Sequence, residues 1–225
     1  MARVLHVQAS PRGDESFSIR VARAFLEAYA KAHPDDTLET LDLAADPPPP
    51  FRGDEARAKM RILGGQAPAP EQAKAWARVT ETIRRFKKAD KFIVSSPMWN
   101  FSLPYPLKHY LDVLIQPGET FRYTPEGRVE GLLRGRPCML ILARGGRYGP
   151  GSGGDPSADS GSPRAGSRGE AMDFQLPYLK AALGFIGLED IGVILIEPTA
   201  AEGPDVAEKT LAAAIADARR KAAAF

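Results

Sequence analysis

The sequence predicts an α/β domain built on one doubly wound, five-stranded parallel sheet in the order 2-1-3-4-5. Apolar runs alternate with helical patterns along the chain, and three of the five runs are continuously apolar, as in strands buried on both faces. A further observation is the stretch Ser95-Ser96-Pro97-Met98-Trp99-Asn100-Phe101-Ser102-Leu103-Pro104. There an apolar strand ends in an aromatic turn pinned by two prolines, and a helix begins. Open sheets of this kind bind ligands outside the carboxyl ends of their strands.

Each element follows from local pattern. Arg3 to Gln8 reads as a strand, and Ser16 to Lys31 as a helix with Ile19, Ala22, Phe25, Leu26 and Tyr29 on one face. Thr37 to Leu43 alternates apolar and polar residues, as a half-exposed strand does. Ala44 to Pro70 holds four consecutive prolines and Gly64-Gly65 and reads mostly as loop. Glu71 to Ala89 carries a helical stripe of Trp76, Val79, Ile83 and Phe86. Lys91 to Ser95 is a third strand, and the helix from Pro104 buries Leu107, Tyr110, Leu111 and Leu114. Pro137 to Ala143 is a fourth strand, Asp173 to Ile186 a helix, Ile191 to Ile196 a fifth strand, and Pro204 opens a terminal helix. In the predicted order the crevice lies between strands 1 and 3, with the loop after strand 4 beside them. From Arg147 to Met172, 15 of 26 residues are Gly, Ser or Pro, which reads either as a lid or as a surface insert.

Bulk properties narrow the function. A chain of 225 residues suits a single domain spanning 1–225. The net charge of +2, with no basic block interleaved with aromatics, argues against nucleic-acid binding. The single cysteine, Cys138, sits in an apolar run, so it reads as a buried thiol; there is no internal disulfide and no metal-ligand cluster. No stretch reaches bilayer length and the N-terminus is too polar for a secretory signal, so a cytoplasmic protein without a membrane partner is expected. None of His6, His33 and His109 pairs with a nearby Ser or Asp in the sequence, which sets triad hydrolysis aside.

Two loops carry candidate chemistry. Ser10-Pro11-Arg12-Gly13-Asp14-Glu15-Ser16-Phe17-Ser18 leads into a helix. Its hydroxyls and the helix N-terminus could surround a phosphate, or a serine could simply cap the helix. Asp14 and Glu15 count against a dianion there. Ala143-Arg144-Gly145-Gly146 ends strand 4, where adjacent glycines let backbone N–H groups approach a ligand. No G-x-G-x-x-G follows strand 1, so a dinucleotide fingerprint is missing.

Taken in order, Ser16-Phe17-Ser18, Pro97-Met98-Trp99-Asn100-Phe101, Leu107-Lys108-His109-Tyr110-Leu111-Asp112, Gly118-Glu119-Thr120-Phe121-Arg122-Tyr123, Arg144-Gly145-Gly146, Pro177-Tyr178-Leu179 and Gly184-Phe185-Ile186-Gly187 resemble the FMN-dependent NADH:quinone oxidoreductases, or NADH-azoreductases, of the flavodoxin-like fold. The resemblance spans nearly the whole chain. It implies that Ser10, Ser16, Phe17 and Ser18 hold the FMN phosphate. Pro97, Met98, Trp99, Asn100 and Phe101 would hold the isoalloxazine, and Ala143, Arg144, Gly145 and Gly146 its pyrimidine edge. Phe121, Tyr123 and Phe185 would lie near the substrate, in a pocket at the interface of a homodimer. The implied activity moves two electrons from NADH or NADPH through FMN to a quinone or azo acceptor in ping-pong order, with no protein residue as an essential base. Arg144, Arg147 and Arg164 are candidates for the 2′-phosphate of NADPH. Two departures stand out: Ala143 replaces a serine common in relatives, and the insert after Tyr148 is longer than usual. An NAD(P)H:FMN reductase that releases reduced flavin and a flavodoxin-like electron carrier are the alternatives. A phospho-receiver is disfavoured, because strands 1 and 3 end in serines rather than carboxylates.

Overall fold

In the computed structural model, which describes residues 1–148 and 172–225, strands and helices alternate. In chain order they are β1 (Arg3–Gln8), α1 (Phe17–Ala32), β2 (Thr37–Asp42), α2 (Gly53–Leu63), α3 (Pro70–Lys87), β3 (Lys91–Pro97), α4 (Tyr105–Leu114), β4 (Phe121–Tyr123), β5 (Val129–Gly131), β6 (Cys138–Ala143), α5 (Leu176–Phe185), β7 (Ile191–Ile196) and α6 (Pro204–Ala222). The central sheet is parallel with the order β2-β1-β3-β6-β7. That is the predicted 2-1-3-4-5 pattern with a two-stranded hairpin, β4–β5, inserted before the fourth sheet strand. The insert read from the sequence lies, apart from its ends, outside the described residues.

Side-chain alternation along each strand divides the core between the two faces of the sheet. Leu5 and Val7 of β1, Phe92 and Val94 of β3, and Leu140 and Leu142 of β6 pack with Val79 and Ile83 of α3, Leu107 and Leu111 of α4, and Leu179 and Leu183 of α5. Val4, Ile93, Met139 and Ile141 face the other way, against Val21 and Phe25 of α1 and Leu211 and Ala218 of α6. Strands needed on both faces have no polar face to spare, which is why β6 is buried along its length. β2 is one edge of the sheet, and its first four residues are exposed. Cys138 is buried, as expected, and desolvation pushes its thiol up to about 12.

Three elements differ from the sequence reading. The stretch read as loop contains α2. Arg52 N–H donates to Glu55 Oε2 at 2.9 Å to cap it, and Glu55 is buried against Arg78 of α3 at 3.3 Å. The hairpin β4–β5 was not anticipated. α5 begins at Leu176 rather than Asp173, because Asp173 Oδ1 accepts the N–H groups of Gln175 and Leu176, each at 3.0 Å, and forms a turn ahead of the helix.

Candidate functional site

β1, β3 and β6 are neighbours in register, so their carboxyl ends meet at one edge of the sheet. Gln8 pairs with Ser95, and Pro97 with Ala143. With strands 4.7–4.9 Å apart, the three ends span about 10 Å. Ala9 N–H bonds Ser95 O at 2.9 Å and Met98 N–H bonds Ala143 O at 2.7 Å, which ties the three loops to each other as they leave the sheet.

The loop after β1 passes through a 3-10 turn, Gly13–Glu15, and enters α1 at Ser16. Ser10, Ser16 and Ser18 are all buried. Ser16 stands at the N-cap position, yet its hydroxyl caps nothing; it lies 3.1 Å from Ser18 Oγ. The capping alternative is therefore not realised, and the first-turn N–H groups of α1 have no carbonyl within the helix to bond. Two hydroxyls and a helix N-terminus face one place, an arrangement that suits a phosphate. The acidic residues that counted against an anion are turned outward and neutralised: Asp14 pairs with Arg23, and Glu15 with Arg12 at 3.4 Å.

The loop after β3 is a two-residue hairpin turn. Trp99 N–H donates to Ser102 O at 3.0 Å and Ser102 N–H to Trp99 O at 2.9 Å, while Asn100 and Phe101 have φ of 46° and 70°. Positive φ at both central residues defines a type I′ turn. Asn tolerates that region; Phe101 adopts it at a cost of order 1–3 kcal/mol. The turn leaves Trp99 37% and Phe101 41% exposed, so large aromatic surfaces stand at the mouth of the site. Phe101 O accepts Phe174 N–H at 3.0 Å, and the Phe101 ring meets Tyr148 edge-on at 6.3 Å. The sequence reading gives neither Tyr148 nor Phe174 a place at the site. They bracket the Gly/Ser-rich stretch, so no periodicity marks them.

The loop after β6 corrects one expectation. Arg144 is buried, and its guanidinium is fully engaged: Nε donates to Gln175 Oε1 (3.1 Å), and the terminal nitrogens pair with Asp173 Oδ2 (2.8 Å) and Glu197 Oε2 (3.3 Å). It cannot also meet a nucleotide 2′-phosphate. Arg147 pairs with Glu202 at the surface, and Arg164 lies outside the described residues. Gly145 and Gly146 remain at the edge with N–H groups that donate to no described residue. Ala143 contributes no side-chain polar group and is buried.

One pairing absent from the sequence reading appears in the fold. His6 Nε2 lies 2.8 Å from Ser95 Oγ, and Nδ1 lies 3.4 Å from Thr40 Oγ1. Both His6 and Ser95 are buried, and desolvation holds the imidazole down to about 4 despite the charge of Asp42. A neutral, inaccessible ring with a hydroxyl rather than a carboxylate behind it is not a triad.

Phe121, Tyr123 and Phe185 are brought together, but not beside the aromatic turn. Phe121 meets Phe185 at 4.7 Å and Tyr123 at 5.7 Å, both edge-on. Phe185 ends α5, and the nine steps from Leu176 at the site end place it about 14 Å along the helix. Tyr123 is 61% exposed, whereas Phe121 is buried.

FMN needs anion donors, apolar flat surface and polar groups at one ring edge. The serine-lined helix start, the Trp99–Phe101 turn and the Gly145–Gly146 N–H pair provide one each, so the residues fit the group. Residues 2–222 match the family model described as flavodoxin-like fold. The FMN-dependent NADH:quinone oxidoreductase of Nitratidesulfovibrio vulgaris is 42% identical over 225 residues, covering all of both chains. That of Desulfotalea psychrophila is 41% identical over 88% of this chain and 86% of its own. Among solved structures, an azoreductase from Bacillus anthracis superposes with a TM-score of 0.84 at 31% identity, covering all of both chains. An FMN-dependent NADH-azoreductase from the same organism, in complex with FMN, gives 0.78 at 30% identity over 99% of this chain and 100% of its own. With the family model matching residues 2–222 and a relative 42% identical over the full length of both chains, the chain belongs to the FMN-dependent NADH:quinone oxidoreductase family of the flavodoxin-like fold.

Proposed function

We propose that this protein is an FMN-dependent oxidoreductase that carries two electrons from NADH or NADPH to quinones and reductively cleaves azo compounds, donor and acceptor using one site in turn. The observation that carries the proposal is the convergence of three unlike ligand-binding devices on adjacent strand ends. When bound, FMN supplies the two-electron chemistry. The chain's own residues do the rest. Ser16, Ser18 and the start of α1 hold the phosphate. The Pro97–Phe101 turn presents backbone groups and aromatic surface to the ring system and keeps water from one side of it. Gly145 and Gly146 N–H groups would serve as preorganised dipoles for the charge that the ring system gains on reduction. Among the described residues the buried acids nearest this edge, Asp173 and Glu197, are engaged by Arg144, so protons would come from solvent.

The roughly 14 Å between the start of α5 and Phe185 supports a homodimer in which the Phe121–Tyr123–Phe185 cluster of one subunit lies over the aromatic turn of the other. The purified protein is expected to show flavin absorbance, to consume NADH when menadione is added, and to sediment as a dimer. Protein that takes up no FMN refutes the enzyme reading; a fully active monomer refutes the shared pocket.

A further inference from the structure

We propose that Arg144 is a positioning residue for the cofactor edge: turned away from the ligand, its side chain fixes the direction of the Gly145 and Gly146 N–H groups and links them to the aromatic turn. The proposal rests on the FMN reading above.

The direction of those two N–H groups follows from peptide geometry. In a trans peptide the C=O and the N–H point to opposite sides. Arg144 O accepts from Thr199 N–H (2.9 Å) and Thr199 Oγ1 (3.0 Å), so the N–H of Gly145, in the same peptide, points away from the β7–α6 loop. Gly145 O accepts from the N–H groups of Ala200 (3.1 Å) and Ala201 (2.9 Å), so Gly146 N–H points the same way. Two consecutive N–H groups thus face outward because the carbonyls behind them are held.

The Arg144 side chain holds the frame. It has no exposed surface, and it joins Glu197 at the end of β7 to Asp173 and Gln175 at the start of α5. Asp173 sets the first turn before α5, and the next residue, Phe174, donates its N–H to Phe101 O. One guanidinium therefore ties the glycine loop, the β7 exit and the aromatic turn into a single unit. A buried ion cluster is poor evidence for stability, because its desolvation cost offsets the attraction. A fork with fixed geometry is good at orienting its partners. Lysine has one point charge and cannot reach three acceptors in one plane.

The test is the two-electron midpoint potential of bound FMN in Arg144→Lys, together with the affinities for FMN and riboflavin. Reduction adds negative charge at the ring edge, so loosened N–H groups weaken binding of the reduced form more than the oxidised form. We expect about a tenfold loss in the reduced-to-oxidised affinity ratio, which is about 30 mV more negative for a two-electron couple. The FMN-to-riboflavin affinity ratio stays at the wild-type value, since the phosphate is held elsewhere. A second variant, Arg144→Met with Asp173→Asn and Glu197→Gln, removes the buried carboxylate charge that would unfold a simple truncation; it is expected to shift the potential in the same direction. A folded variant with lower melting temperature and wild-type potential makes Arg144 merely structural and overturns the proposal. Failure of both variants to fold overturns it as well. Wild-type protein that binds no FMN refutes the enzyme reading instead.

Discussion

Replacing His6 with glutamine is expected to flatten the acid side of the stability profile. His6 is 3% exposed, between β2 and β3, and burial holds its imidazole down to about 4, against 6.5 for the free side chain. Between those values the unfolded chain takes up a proton that the folded chain refuses. Unfolding is therefore favoured as pH falls, and the contribution of the neutral ring is complete only above about pH 6.5. Each pH unit in the window is worth about 1.4 kcal/mol, so about 2 kcal/mol is gone at pH 5 and about 3 kcal/mol near pH 4. A domain stabilised by only about 5–15 kcal/mol will show such a loss clearly. Urea unfolding at intervals from pH 5 to 8 measures it, above the range where most carboxylates titrate. The wild type should lose stability steadily below pH 6.5, while His6→Gln, whatever its offset from lost packing, should run nearly level. Parallel profiles for the two proteins would refute the reasoning, and so would a flat wild-type profile.

Two other perturbations separate fold from site. A Cβ at Gly131 would sit 2.3 Å from Gly187 N and 2.4 Å from Ile186 C, so Gly131→Ala must push the β4–β5 hairpin off the turn after α5. Overpacking of this kind costs about 1–3 kcal/mol, at roughly 2–4 °C per kcal/mol for a chain of this size, and calorimetry that finds an unchanged melting temperature would contradict it. Ser16→Ala with Ser18→Ala should weaken FMN by about 1.5–3 kcal/mol per hydroxyl while leaving riboflavin unaffected, because only FMN carries the phosphate. Equal effects on both flavins, by fluorescence titration, would remove these serines from the phosphate site.

Much of the fold was legible because its strands are needed on both faces. Buried parallel strands must be continuously apolar, so the positions of β3 and β6 could be read directly; β7 was legible from its apolar run although it is an edge strand with only Ile194 and Ile196 buried, and the alternation of β2 marked it as half-exposed. α2 escaped because it buries only Glu55 and Ala58, leaving no apolar stripe between the prolines and glycines around it. The hairpin escaped because its strands are three residues long, and only Phe121 among them is buried. At the site, serines and aromatics could be recognised as types placed at strand ends. The role of Arg144 could not, since its carboxylate partners lie 29 and 53 residues away and no local pattern joins them. The distance of Phe185 from the aromatic turn depends on which way α5 runs, which a motif does not state.

Phe101 carries a consequence for redesign. At a φ of 70° glycine is the residue that local backbone energy prefers, and Phe101→Gly would relieve strain and strengthen the turn. The same change deletes an exposed ring from the mouth of the site. Under the function proposed above, stability-guided optimisation of this chain would favour that substitution while removing aromatic surface from the flavin pocket. On that reading thermal robustness and catalysis favour different residues at position 101, and a library built on this scaffold should hold it fixed.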